Sequence, residues 1–186
     1  MPVKNIVDDA AVHMNKAVEH VQQQLSKVRT GRASASMLDA IKVEYYGEAT
    51  PLAQVGSVSV PDARSIVIQP WDRTVLGTIE KAILAANLGI TPQNDGQIIR
   101  ISVPPLTEER RKDIVKQCKK MAEEGKLAVR NIRRDANEEL KVAEKKEHFS
   151  EDDRKRGEDD IQKNTDRYIK DIDTILVAKE KEVMEE

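Results

Sequence analysis

Val28-Arg29-Thr30-Gly31-Arg32-Ala33-Ser34-Ala35-Ser36 stands where one kind of sequence stops and another begins. Before it, Val7, Ala11, Met14, Val18, Val21, Leu25 and Val28 recur at alternating intervals of four and three, the a/d seam of an amphipathic helix over residues 1–30. Ala10 and Ala17 widen the stripe as a bundle helix requires. After it, the pattern turns to short alternating strands. A glycine at such a point adopts the left-handed conformation that other residues resist. The flanking arginines either compensate the helix dipole or hold phosphate in bidentate geometry. The segment is therefore a helix stop, a joint, a nucleic-acid contact, or a combination of these.

Downstream lie two more helical stretches. Residues 107–146 carry Cys118, Met121, Gly125, Val129, Ile132, Ala136, Leu140 and Ala143 at a mean period near 3.6. Thr107 is the expected N-cap, with Glu108 and Glu109 in the first turn. About 40 helical residues span roughly 60 Å, so an elongated molecule is expected. Ser150 and Asp153 form a capping-box-like start to a third helix, whose seam is Ile161, Thr165, Tyr168, Ile172, Ile175 and Val183, with Leu176 alongside. The short turn near His148-Phe149 makes the second and third helices antiparallel neighbours, and three such helices make a bundle.

Residues 31–105 differ in kind. They hold 13 charged residues in 75, against 51 in the other 111, and six of the seven prolines. Alternation at Ile41/Val43/Tyr45, Val58/Val60, Ile66/Ile68 and Ile99/Ile101/Val103 predicts strands, separated by Tyr46-Gly47, Pro61-Asp62 and Asn94-Asp95-Gly96. One helix is expected from about Val75 to Asn87, with Ile79, Ala82, Ile83 and Ala86 on one face. The expectation is an α+β protein: a discontinuous three-helix bundle (1–30 and 106–186) with a small α/β or β-sandwich-like domain (31–105) inserted in it. The chain leaves the bundle through Arg29-Thr30-Gly31-Arg32 and returns through Val103-Pro104-Pro105-Leu106, two strands of linker that together make a hinge.

Composition removes several function classes. The 31 Lys+Arg nearly balance 33 Asp+Glu, so only charge distribution speaks to partners. One Trp, one Phe and three Tyr argue against base-stacking platforms. Cys118 is the lone cysteine and lies on an apolar stripe, which reads as a packed thiol in a reducing compartment. His13, His20 and His148 have no metal-site spacing with it, and no cofactor is expected. No run approaches the ~20 apolar residues of a membrane span, and Met1 to Asp9 lacks an apolar signal core, so a cytoplasmic protein is expected. No phosphate-binding Gly-rich loop, GxSxG or HExxH is present, and the carboxylate pairs read as solvated helix faces. An enzyme is not expected.

The second helix carries a sharper signal. Projected at 100° per residue, Lys112, Lys116, Lys119, Lys126, Arg130, Arg133 and Arg134 fall within an arc of about 100°, roughly opposite the apolar stripe. Only Glu108 and Glu123 among the acids share that arc before the helix is nearly spent. A row of cations on one face of a near-neutral chain fits a phosphate backbone; its bland alternative is a solvated basic face. Arg130, Arg133 and Arg134 are the more specific subset, because guanidinium suits bidentate phosphate contact and A-form RNA hides its bases.

Four motifs, Val28–Ser34, Val43–Gly47, Pro104–Lys112 and Val129–Asn137, together resemble the family of bacterial ribosome recycling factors, in that family's order and over essentially the whole chain. The resemblance implies an L-shaped molecule, a long three-helix bundle with an inserted β/α/β domain on two flexible linkers. It implies binding, as a monomer, to the 50S ribosomal subunit and its 23S rRNA after peptide release. With elongation factor G, which binds and hydrolyses the GTP, such a factor splits the ribosome and frees mRNA and deacylated tRNA. The family's rRNA-contacting arginines match Arg130 and Arg133; Arg134, Lys126, Arg110, Arg29 and Arg32 complete the candidate set. The absence of an N-terminal extension suggests a bacterial rather than an organellar member. The rival from another class is an adaptor whose bundle binds a further helix through an exposed apolar seam.

Overall fold

The computed structural model describes residues 2–185. Met1 and Glu186, the outer ends of the two expected bundle segments, lie outside the described residues.

Three long helices form one unit, made of the chain up to Arg29 and again from Glu108 to Glu185. They are α1 (Pro2–Ser26), α4 (Glu108–Glu147) and α5 (Glu151–Met184), and each packs on the other two. Intervening elements are α2 (Leu52–Val55) and α3 (Leu76–Ala85). The end of α1 tightens: the amides of Lys27 and Val28 donate to the carbonyls three residues back, of Gln24 and Leu25. The helix thus stops at Ser26 rather than residue 30, and Gly31 does not cap it. At 40 residues α4 is about 60 Å long. It closes at His148, whose φ of 54° lets its amide donate to the Glu144 carbonyl at 3.1 Å. Ser150 then caps α5 as expected: its Oγ accepts from the Asp153 amide at 3.1 Å and donates to Asp153 Oδ2 at 2.7 Å.

Between the helices lie Ile6, Ala10, Met14, Val18, Val21 and Leu25 of α1, Ile114, Cys118, Ala122, Gly125, Val129, Ala136 and Leu140 of α4, and Gly157, Ile161, Thr165, Ile172 and Val183 of α5. At the start of the α1 seam Ile6 takes the place expected of Val7, and Ala10, expected to widen the stripe, is buried, while Val7 and Ala11 are only half-buried. In α4, Ile114 and Ala122 join the core, and Met121, Ile132 and Ala143 sit at its margin. The buried Thr165 hydroxyl donates to the Ile161 carbonyl at 2.8 Å, so its polarity is satisfied inside its own helix. Two glycines let helices approach closely. A methyl at Gly125 would overlap the Val21 side chain, and one at Gly157 would stand 2.9 Å from Val3 and 3.0 Å from Leu140.

The second unit is Thr30–Thr107. Strands β1 (Lys42–Tyr45) and β2 (Glu48–Pro51) form a hairpin. Tyr46 and Gly47 turn it at φ 49° and 83°, the left-handed pair a two-residue hairpin requires. Strands β3 (Gly56–Asp62), β4 (Ser65–Pro70), β5 (Thr91–Asn94) and β6 (Ile99–Ser102) form an antiparallel sheet in the order β3-β4-β6-β5. Ile66, Ile68, Ile99 and Ile101 alternate inward and meet Ile79 and Ile83 of α3, with Leu38, Ile41, Val43, Leu52 and Val55 completing the core. The arrangement is a helix on a sheet, not a sandwich. Val60, expected inside, is exposed, and β2 and β5 add two strands the alternation did not indicate.

Three aspartates hold the turns of this unit by accepting hydrogen bonds. Asp62 accepts from the Ser65 hydroxyl at 2.7 Å and the Arg64 amide at 2.8 Å. Asp72 accepts from the Thr74 amide, and Asp95 from the amides of Ile98 and Gln97, each at 2.9 Å. These bonds favour the ionised carboxylates and hold all three below the ordinary aspartate value of 3.8. Their stabilisation is full above that value and is lost as pH falls through the lower folded-state values. Urea unfolding followed by near-ultraviolet circular dichroism, from about pH 6 to about pH 2, should show a midpoint that is steady above pH ~4 and falls below it. A midpoint flat through that window rules out the three turns as acid-sensitive points.

Candidate nucleic-acid interface

The cations of α4 fall into an inner set beside α5 and an outer set exposed to solvent. The inner set is tied to α5. Lys119 Nζ lies 3.5 Å from Glu180 Oε1. Lys126 has only 12% of its side chain exposed and pairs with Asp173 of α5 and with Glu123. Hydrogen bonding to Asp173 is the main reason its ammonium is held above the ordinary lysine value. Arg133 is half-buried, and its Nη1 donates to Gln162 Oε1 of α5 at 3.1 Å.

The outer set faces solvent. Arg130 is exposed and has no hydrogen-bond or ion-pair partner among the described residues. Arg134 is exposed and among the described residues bonds the neutral amide oxygen of Asn131, one turn back, with no carboxylate on it. Lys112 pairs with Glu108 at 2.7 Å, both well exposed, a pairing of little energetic weight. Arg110 is exposed in the first turn of α4, and Arg29 and Arg32 are exposed on either side of Thr30.

Of the sequence candidates on α4, then, Arg130, Arg133 and Arg134 share one stretch with no carboxylate in ion-pair contact among the described residues, whereas the Lys126 ammonium is paired with Asp173 and Glu123. A solvent-facing row of unneutralised guanidinium groups is suited to phosphate oxygens. What sequence reading missed is the α5 side of this flank: Gln162, Asp166, Asp173 and Glu180. Their signal was the seven-residue interval from Asp166 to Asp173 to Glu180, which matches the interval from Lys119 to Lys126 to Arg133.

The linker residues have a distinct geometry. Gly31 has φ 81° and lies against the Leu106 side chain, so no Cβ fits there. The amide of Ala33 donates to the Ala63 carbonyl at 2.7 Å, and that of Val103 to the neighbouring Arg64 carbonyl at 2.8 Å. Both linker strands are thus fastened to consecutive carbonyls of the turn that Asp62 organises. Val103 is buried in this unit. Thr30 and Leu106 are half-buried; Pro104 and Pro105 are exposed.

Cys118 is fully buried, and desolvation pushes its thiol up, which suits packing rather than nucleophilic attack. Among the described residues no cluster of His, Cys, Asp and Glu has the arrangement of a metal site, and no helix is long and apolar enough to cross a membrane.

Residues 21–184 match the family model described as "Ribosome recycling factor". The ribosome-recycling factor of Syntrophomonas wolfei is 55% identical over 98% of this chain and 99% of its own length. That of Nitratidesulfovibrio vulgaris is 56% identical over the full length of both. Among solved structures, a solution structure of the ribosome recycling factor superposes with a TM-score of 0.72 at 43% identity, covering 99% of this chain and 98% of the other. A second, of the T. thermophilus ribosome recycling factor with the E. coli elongation factor G bound to the E. coli post-termination complex, gives 0.61 at 46% identity, covering 99% of this chain and all of the other.

Proposed function

The chain belongs to the ribosome recycling factor family, and we propose that it binds the 50S subunit of the post-termination ribosome and, with elongation factor G, splits it. The bundle docks on 23S rRNA through Arg130 and Arg133, assisted by Arg134, with Arg110, Arg29 and Arg32 as secondary contacts. The observation that carries this reading is the unneutralised guanidinium row on α4, in a protein whose charges otherwise nearly cancel. Lys126 contributes to the local potential rather than to contact, because its ammonium is already paired. GTP is bound and hydrolysed by elongation factor G, and this chain supplies no catalytic group.

The test is cosedimentation with 50S subunits, followed by a splitting assay on post-termination ribosomes with elongation factor G and GTP. Binding without splitting, or splitting without the need for elongation factor G, counts against the reading. An adaptor that used an apolar seam would bind with little salt dependence, whereas a phosphate reader loses affinity steeply as salt rises.

The same reading places the freedom that splitting requires at residues 29–32 and 104–107, between posts at Ala33 and Val103. Gly31→Val forces a β-branched residue to a positive φ and its side chain onto Leu106. This variant should bind 50S subunits normally and split ribosomes several-fold more slowly. A normal splitting rate means that the freedom of this linker is not used.

A further inference from the structure

Lys119, Lys126 and Arg133 follow one another on α4 at intervals of seven residues, and Glu180, Asp173 and Asp166 run back along α5 at the same interval. In an antiparallel helix pair this makes a ladder with three rungs. The first two close as ion pairs, Lys119 with Glu180 and Lys126 with Asp173. The third does not. Arg133 has no carboxylate within ion-pair distance among the described residues; its Nη1 donates to Gln162 Oε1 at 3.1 Å. Gln162 Nε2 in turn donates to Asp166 Oδ1 at 2.9 Å. A neutral amide therefore stands between the last cation and the last acid of the series.

The substitution of an amide for an ion pair matters for an anion-binding arginine. A carboxylate on Arg133 would compete with an incoming phosphate for the same charge and donors. An amide oxygen takes one N–H and leaves the other donors and the full positive charge. It also fixes a long, rotamer-rich side chain in place, lowering the ordering cost at binding.

We infer that Gln162 is a positioning residue: it holds the Arg133 guanidinium at the flank of the bundle and occupies Asp166, so that the third rung stays open to an RNA phosphate. This rests on the reading of Arg133 as an rRNA contact. It also explains why the ladder neutralises Lys119 and Lys126 yet spares the arginine.

Binding of the full chain to purified 50S subunits across a salt series tests it. Gln162→Glu puts a carboxylate on Arg133; affinity should fall about tenfold, the scale of one charge-assisted contact, and the salt dependence should become shallower by about one phosphate contact. The same substitution on an Arg133→Ala background should add no further loss. Gln162→Ala releases Asp166 to pair with Arg133, so affinity should fall and Asp166→Asn should restore it. Thermal melting by circular dichroism should be unchanged throughout, since Gln162 and Asp166 are exposed. If Arg133→Ala weakens binding and Gln162→Glu does not, the positioning role is wrong and the rRNA contact stands. If Arg133→Ala itself binds normally, the rRNA contact is wrong and the positioning role falls with it. A Gln162→Glu loss that persists in full without Arg133, or a failure of Asp166→Asn to rescue, also overturns the inference.

Discussion

Replacing Arg130 and Arg133 together by alanine should weaken binding to the 50S subunit by about a hundredfold or more while leaving the bundle folded. Arg130 has no partner among the described residues to lose, and Arg133 loses one hydrogen bond at the helix flank. Surface changes of this kind shift stability by about 0.5 kcal/mol or less. Against RNA the balance is different. A hydrogen bond involving a charged group is worth about 1.5–3 kcal/mol, so two such contacts amount to about 3–6 kcal/mol, or two to four orders of magnitude in affinity. The salt dependence should also flatten by about two phosphate contacts. Lys126→Ala is the internal control. That lysine is already committed to Asp173, so its removal should reduce affinity far less than loss of either arginine, though it breaks a half-buried ion pair. Unchanged affinity of the double variant at moderate salt would remove the arginines from the interface.

What the sequence makes legible follows from where each signal is local. The Ser150/Asp153 cap and the Tyr46-Gly47 turn form as expected, because both depend on a side chain or φ angle within four residues. The helix periods are equally local, and the bundle follows from them. Phase is less well fixed. At the start of α1, Ile6 and Ala10 are buried more deeply than the expected seam residues Val7 and Ala11, because both pairs satisfy a helical period and only packing against α4 and α5 chooses between them. The missed strands fail for a related reason. Thr91-Pro92-Gln93-Asn94 is an edge strand with one buried residue, and Glu48-Ala49-Thr50-Pro51 has none. Their pairing is decided by the backbones of β6 and β1 rather than by their own side chains.

The interface shows the same limit. A helical projection finds the cationic face of α4, but it cannot say which neighbour borders that face. Lys126 and Arg133 look equivalent in projection, one heptad apart. The structure separates them by what α5 offers at each level, Asp173 to one and Gln162 to the other. Charge in a sequence becomes available charge only after the internal ion pairs are subtracted, and that requires the register between helices.

Leu140→Ala should be among the most damaging single changes in the bundle. Leu140 is fully buried, and its methyls rest on Gly157 of α5, where an added Cβ would stand 3.0 Å from the nearer one. Truncation removes buried methyl groups and leaves a cavity at a helix crossing held close by a glycine, which has no side chain to relax into the space. The expected cost is about 2–5 kcal/mol in urea unfolding. Gly157→Ala alone should also destabilise, because overpacking the crossing, at about 1–3 kcal/mol, outweighs the gain of up to about 1 kcal/mol from alanine's higher helix propensity. On the Leu140→Ala background the sign should reverse. The new methyl then enters the vacated space, and only Val3, half-buried in the first turn of α1, has to shift. The double variant should therefore be more stable than Leu140→Ala by about 1 kcal/mol or more, with a coupling energy of that order between neighbours in contact. Additive losses at the two positions would show that Leu140 and Gly157 do not share a crossing. The register between α4 and α5 would then differ at the end of the bundle where α4 turns into α5.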